Sequence, residues 1–148
     1  MKKALKRIFT IIICIPIVLI VLFIGYELIG IAVNNYSANK QTKNLIEDIS
    51  NISDVEIIDS NTFAENTSGT GNHVDMLSLV LVRTEYADEL NKNFSGYDNF
   101  RIRPYEVLSE DKLNGKFYGS LEYPKNKDNL YVIDVNNSAP FWDNIVGH

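Results

Sequence analysis

The hydrophobic pattern along the chain changes character once, near residue 33. Residues 8–26 form an uninterrupted run of nineteen uncharged, mostly apolar side chains. As a helix rising about 1.5 Å per residue, that run reaches roughly 28 Å, close to the hydrocarbon thickness of a bilayer. After Glu27 a second apolar stretch, residues 28–33, lengthens the span. Many of these side chains are β-branched and favour helix weakly in water. In lipid, however, every backbone polar group must bond internally, and a single chain segment achieves that as a helix. Pro16 is expected to bend such a helix without ending it. The pattern therefore predicts a basic N-terminus over residues 1–7 and a transmembrane helix over residues 8–33.

Beyond residue 33 the periods become those of a small folded domain. Leu45, Ile46, Ile49 and Ile52 recur at helical spacing and predict a helix over residues 39–52, within a helical linker spanning 34–53. A domain over residues 54–148 follows. Residues 55–60 read as a short strand. Residues 73–84 contain Met76-Leu77-Ser78-Leu79-Val80-Leu81-Val82, apolar on both faces, which predicts a central strand. Thr84 is placed to cap a helix running to about residue 94, with Tyr86, Leu90 and Phe94 on one face. Further strands are expected over 99–105, 116–123 and 129–135, separated by turn-forming residues at 113–115 and 124–129. The order α-β-β-α-β-β-β predicts an α+β fold: a small antiparallel sheet with one or two helices packed on one face.

Charge adds an orientation. Lys2, Lys3, Lys6 and Arg7 precede the apolar run and no comparable cluster follows it, so the positive-inside rule leaves the N-terminus in the cytoplasm. The C-terminal domain is then extracytoplasmic at the cell membrane. The apolar core exceeds the 7–15 residues of a cleavable signal, and no Ala-x-Ala follows it; Tyr36-Ser37-Ala38 is the nearest substitute. A lipoprotein reading would use Cys14, but bulky Ile13 precedes it. Glu27 is expected to snorkel toward water from the end of the span. With four basic residues and one Glu, the first 33 residues carry +3; the whole chain carries −5, which leaves −8 on the rest. That domain repels nucleic acid and anionic lipid surfaces, so the expected partners are the lipid bilayer, through residues 8–33 alone, and an envelope protein. One cysteine allows no intramolecular disulfide.

Chemical leads are sparse. The segment Glu65-Asn66-Thr67-Ser68-Gly69-Thr70-Gly71-Asn72-His73 is rich in glycine and small polar residues, whose backbone N–H groups can converge on an anion. Gly69, Gly71, Asn72 and His73 are therefore the candidate ligand-binding residues. The segment matches neither phosphate-loop nor dinucleotide-loop spacing and precedes a strand, so a plain hairpin loop is the competing reading. A short strand, the run from Asn66 to Asp75, an apolar strand and a short helix together resemble an uncharacterised family of small exported or membrane-anchored proteins of Gram-positive bacteria. The likeness covers about residues 55–135. It implies location and fold class but no activity.

Two histidines, His73 and His148, are too few for a zinc site unless Glu65 and Asp75 complete it, so no metal and no cofactor is expected. Asp54, Glu56 and Asp59 suit strand or turn surfaces, and no serine lies in a Gly-x-Ser-x-Gly context, so no catalytic residue is assigned. Arg101 and Arg103 share a strand face and are expected to pair with acidic neighbours, or to hold a small anion. In the tail, Trp142 and Ile145 are expected to pack back on the domain; the alternative is a tail that touches a partner or the membrane. These features predict an extracytoplasmic interaction or sensing domain on a single-pass anchor. The alternatives are a membrane-anchored hydrolase using residues 69–73 and an immunity-type inhibitor of a basic toxin.

Overall fold

A computed structural model of the chain describes residues 2–67, 73–94, 97–110, 115–141, 143 and 146. The N-terminal third is one continuous helix, α1 (Lys2–Ser50), which runs through Pro16 without interruption. At 49 residues it is about 73 Å long. Over residues 11–24 it stands clear of the rest of the molecule, and the helix is long and apolar enough to cross a membrane. Its second half is a different object. Glu27, Gly30, Asn34, Ala38, Thr42, Leu45 and Ile49 are buried, a stripe at spacings of three and four that lies along one side of the helix. The helix predicted over 39–52 is thus the outer end of the same rod.

The outer part of that stripe, Thr42, Leu45 and Ile49, packs on a four-stranded antiparallel sheet of β1 (Glu56–Glu65), β2 (Asp75–Arg83), β3 (Phe100–Pro104) and β4 (Leu130–Ser138), in the order β1-β2-β4-β3. The α+β class with an antiparallel sheet is as expected. The run from Met76 to Val82 is indeed central, with β1 and β4 on either side. Alternation splits β2 between two cores. Val80 and Val82, with Ile133 and Val135 of β4, meet Leu45 and Ile49 of α1 and Leu90 and Phe94 of α2 (Ala87–Asn93). Leu77, Leu79 and Leu81, with Leu130 and Val132, meet Leu108 of α3 (Tyr105–Glu110) and Phe117 and Tyr118 of α4 (Gly115–Tyr118). Both faces of the sheet are therefore covered, the first by α1 and α2 and the second by α3, α4 and Leu121.

Two local expectations fail and one short helix was not foreseen, each for a visible reason. Residues 116–123 do not form a strand. Phe117, Tyr118 and Leu121 fall at i, i+1 and i+4, so a helical turn puts all three on the sheet where a strand would turn one of them away. The strand expected over 99–105 forms as β3, and residues 105–110, where no helix was expected, are helical because Tyr105 and Leu108 at i, i+3 reach the same core. Thr84 does not cap α2, which begins three residues later. Its Oγ1 instead accepts the Tyr86 N–H at 3.0 Å, tightening a turn that leaves Tyr86 half exposed.

Between α1 and the sheet lies a polar seam. Gln41 Nε2 donates to Ser78 Oγ (2.9 Å) and to the carbonyls of Met76 (3.1 Å) and Val135 (3.2 Å), while its Oε1 accepts from Asn137 Nδ2 (2.9 Å). The Thr42 hydroxyl sits 2.7 Å from those of both Ser78 and Thr62. Buried polar groups of this kind fix the register of the helix, since a slip of one residue would leave all of them unpaired. Ser78→Val, which removes the hydroxyl at the centre, is expected to cost about 1–3 kcal/mol in a denaturant titration. A neutral result would mean that the seam contributes no stability.

Candidate functional site

The end of the sheet far from the N-terminus of α1 carries a cleft. β1 begins there, β2 ends there, and Arg83 of β2 pairs with both Glu56 of β1 and Leu130 of β4. The cleft has a volume of about 540 Å³, within the ordinary range of small-ligand pockets. Its walls come from the segment after α1 (Asp54, Val55 and Glu56), from the end of β2 and the turn beyond it (Arg83, Thr84, Glu85 and Tyr86), and from Asn129.

Two backbone positions shape it. Asp54 (φ 63°) and Asn129 (φ 54°) are left-handed, a region tolerated by these short polar side chains and disfavoured for bulkier ones. The Asn129 carbonyl accepts the Thr84 N–H at 3.1 Å, which ties the entry of β4 to the exit of β2. Electrostatically the lining is acidic but mixed. Arg83 NH1 pairs with Glu56 Oε2 at 2.7 Å and NH2 donates to the Asn126 carbonyl at 3.3 Å. Arg83 Nε is buried and, among the described residues, is the one buried side-chain donor without a partner. Asp54 and Glu85 make no ion pair with any described residue. Such a lining suits a basic group, held by carboxylates at the rim. Sequence reading treated Asp54 and Glu56 as ordinary surface carboxylates, because only the folded chain brings Glu85 and Arg83 beside them.

Of the residues singled out from sequence, His73 alone can be placed, and it lies at the opposite end of the sheet. Gly69, Gly71 and Asn72 fall outside the described residues. His73 is described: its Nε2 lies 3.5 Å from Asp75 Oδ2, and the buried Asp75 accepts a 2.8 Å hydrogen bond from the Thr67 hydroxyl. Asn136 Nδ2 donates to the same hydroxyl at 3.0 Å. A nucleophilic relay needs the order hydroxyl, imidazole, carboxylate. Here the hydroxyl bonds the carboxylate directly, which pins the base of a hairpin. Among the described residues no group of three or more His, Cys, Asp or Glu is placed to hold a metal.

A third cluster is structural in character. Asp134 of β4 is fully buried and receives Arg101 Nε (2.8 Å), Arg103 Nε (3.2 Å) and Arg103 NH2 (3.0 Å), with the Tyr118 hydroxyl at 3.2 Å. Burial pushes its carboxyl above the usual carboxylate range, against the pull of the two guanidinium groups. The paired arginines read from the sequence are thus turned inward onto one carboxylate. Against known proteins, the chain matches no family model, no curated protein and no solved structure, so its own residues carry the functional reading.

Proposed function

We propose that this chain is a single-pass membrane protein whose extracytoplasmic domain is an interaction or sensing module, with the cleft at the far end of the sheet as its contact surface. The observation that carries the reading is the continuity of α1. One helix supplies both the apolar candidate span and the buried stripe under the sheet, so the domain is held by a rod rather than a leash. The four basic residues before the span support a cytoplasmic N-terminus. The excess of carboxylates around the cleft, on a domain of net charge −8, supports a partner that presents a basic group.

Whole-cell crosslinking tests this. Protease added outside intact protoplasts is expected to digest the domain, and crosslinking is expected to recover a discrete partner. Reversing the charge of the rim with Asp54→Lys and Glu85→Lys together is expected to lower that recovery about tenfold while the thermal melt stays unchanged. A domain protected from outside protease, or undiminished crosslinks from the reversed variant, would contradict the proposal.

A further inference from the structure

The C-terminal segment does not end at the sheet. The Ala139 N–H donates to the Val74 carbonyl (3.0 Å), and the chain then turns onto the side of α1. Asn34, only 1% exposed, grips the backbone of Phe141 from both sides: Nδ2 donates to its carbonyl (2.8 Å) and Oδ1 accepts its N–H (2.9 Å). The Phe141 ring lies against Gly30, where an added Cβ would stand 3.2 Å from it, and 5.6 Å from the ring of Tyr26. A glycine at position 30 is what lets the ring approach so closely.

These contacts fall within the apolar part of the helix. Tyr26 closes the uncharged run, and Gly30 lies inside the second apolar stretch. At the same axial height Leu28 and Ile29, 61% and 59% exposed, have no protein cover. Bare leucine and isoleucine in water forgo roughly 1.5–3 kcal/mol each, so lipid is the medium that suits them. Whatever medium meets Leu28 and Ile29 also borders Phe141, because a helix rises only about 1.5 Å per residue. On the gripped face, Glu27 is 9% exposed although it interrupts an apolar sequence. A carboxylate and an amide facing acyl chains would be costly; covered by protein they are not.

We propose that the segment spanning residues 139–141 is an interfacial strap. It seats at the boundary between lipid headgroups and acyl chains, covering the polar face of α1 from Glu27 to Asn34, and brings the domain directly onto a phospholipid surface. This rests on the reading that α1 spans the membrane. The strap adds an aromatic contact at the depth where aromatic side chains are favoured.

Trp142, the only tryptophan, adjoins Phe141 in sequence and reports on the strap. The full chain is reconstituted in phosphatidylcholine vesicles, some with lipids brominated near the headgroup and others near the chain ends. Integration is read separately, by flotation after alkaline carbonate. The expected result is blue-shifted emission, quenched at least about twofold more by headgroup-proximal bromine than by aqueous iodide. Gly30→Leu, which pushes Phe141 off the helix, is expected to shift that balance toward iodide without loss of flotation; Asn34→Ala is a second release variant. Full iodide quenching in vesicles that still float overturns the strap and leaves the anchor intact. So does quenching that neither variant alters. A chain that carbonate strips from the vesicles overturns the anchor reading itself.

Discussion

A chain that begins at residue 51 is expected to remain unfolded, whereas one that begins at residue 34 is expected to melt cooperatively. The longer truncation removes Leu45 and Ile49, both 0% exposed, and uncovers Val80, Val82, Ile133 and Val135 on the sheet. At about 1.5–3 kcal/mol for each buried aliphatic side chain, the loss matches or exceeds the whole stability of an ordinary domain, about 5–15 kcal/mol. Ser78, bonded to Gln41 and Thr42, would be stranded at the same time. Near-ultraviolet circular dichroism and a thermal melt decide the matter. A cooperative transition in the 51–148 fragment would make the outer half of α1 an accessory to the fold. Cleavage after Ala38 would cut the helix at a fully buried position and separate Asn34 from the sheet, so Tyr36-Ser37-Ala38 is a poor processing site in the folded chain.

The second large effect is expected at Asp134. Removing its carboxyl with Asp134→Ala leaves Arg103, with a side chain 21% exposed, facing an apolar core without its counter-charge. Losing one partner of a fully buried pair costs about 3–5 kcal/mol. Because the Arg101 side chain is 56% exposed and regains water, about 2–3 kcal/mol is expected here. Asp134→Asn is expected to be milder, since it keeps an acceptor and removes a charge that burial disfavours. The sign with pH follows from the upward shift. The folded state holds the Asp134 proton more tightly than the unfolded chain, so this group favours folding most at pH values below the ordinary carboxylate range. Its contribution falls as pH rises through and just above that range. Urea titrations of wild type and Asp134→Asn across acidic pH should therefore diverge in slope. Parallel curves would show that the two arginines hold the carboxyl at its ordinary value.

Much of the fold was legible because two periods differ so plainly. The nineteen-residue uncharged run and the doubly apolar stretch from Met76 to Val82 each admit few structures: the first is helical and long and apolar enough to cross a membrane, and the second is a central strand. Residues 116–123 were misread where helical and strand spacings overlap over a few residues. Phe117-Tyr118 looks like strand until Leu121 is seen to share their core. The cleft was invisible for another reason. Asp54, Arg83 with Glu85, and Asn129 come from three separate segments of the chain, and two of these residues depend on left-handed backbone that no periodicity encodes. Asn34 gave no signal at all, because its partner, Phe141, is 107 residues away.

The unbroken rod also sets a geometry of encounter. From Glu27 to Ser50 the helix climbs about 35 Å, and the cleft opens beyond its upper end. A flexible tether would let the binding face sample a wide volume and every tilt. On the anchor proposed above, a stiff mast would restrict it instead to a thin layer at one elevation above the lipids, with the opening turned away from them. Meeting the proposed partner would then be a search in a plane. A target anchored in the same bilayer would have to carry its basic group to that elevation, and a shorter one would pass beneath the cleft without touching it.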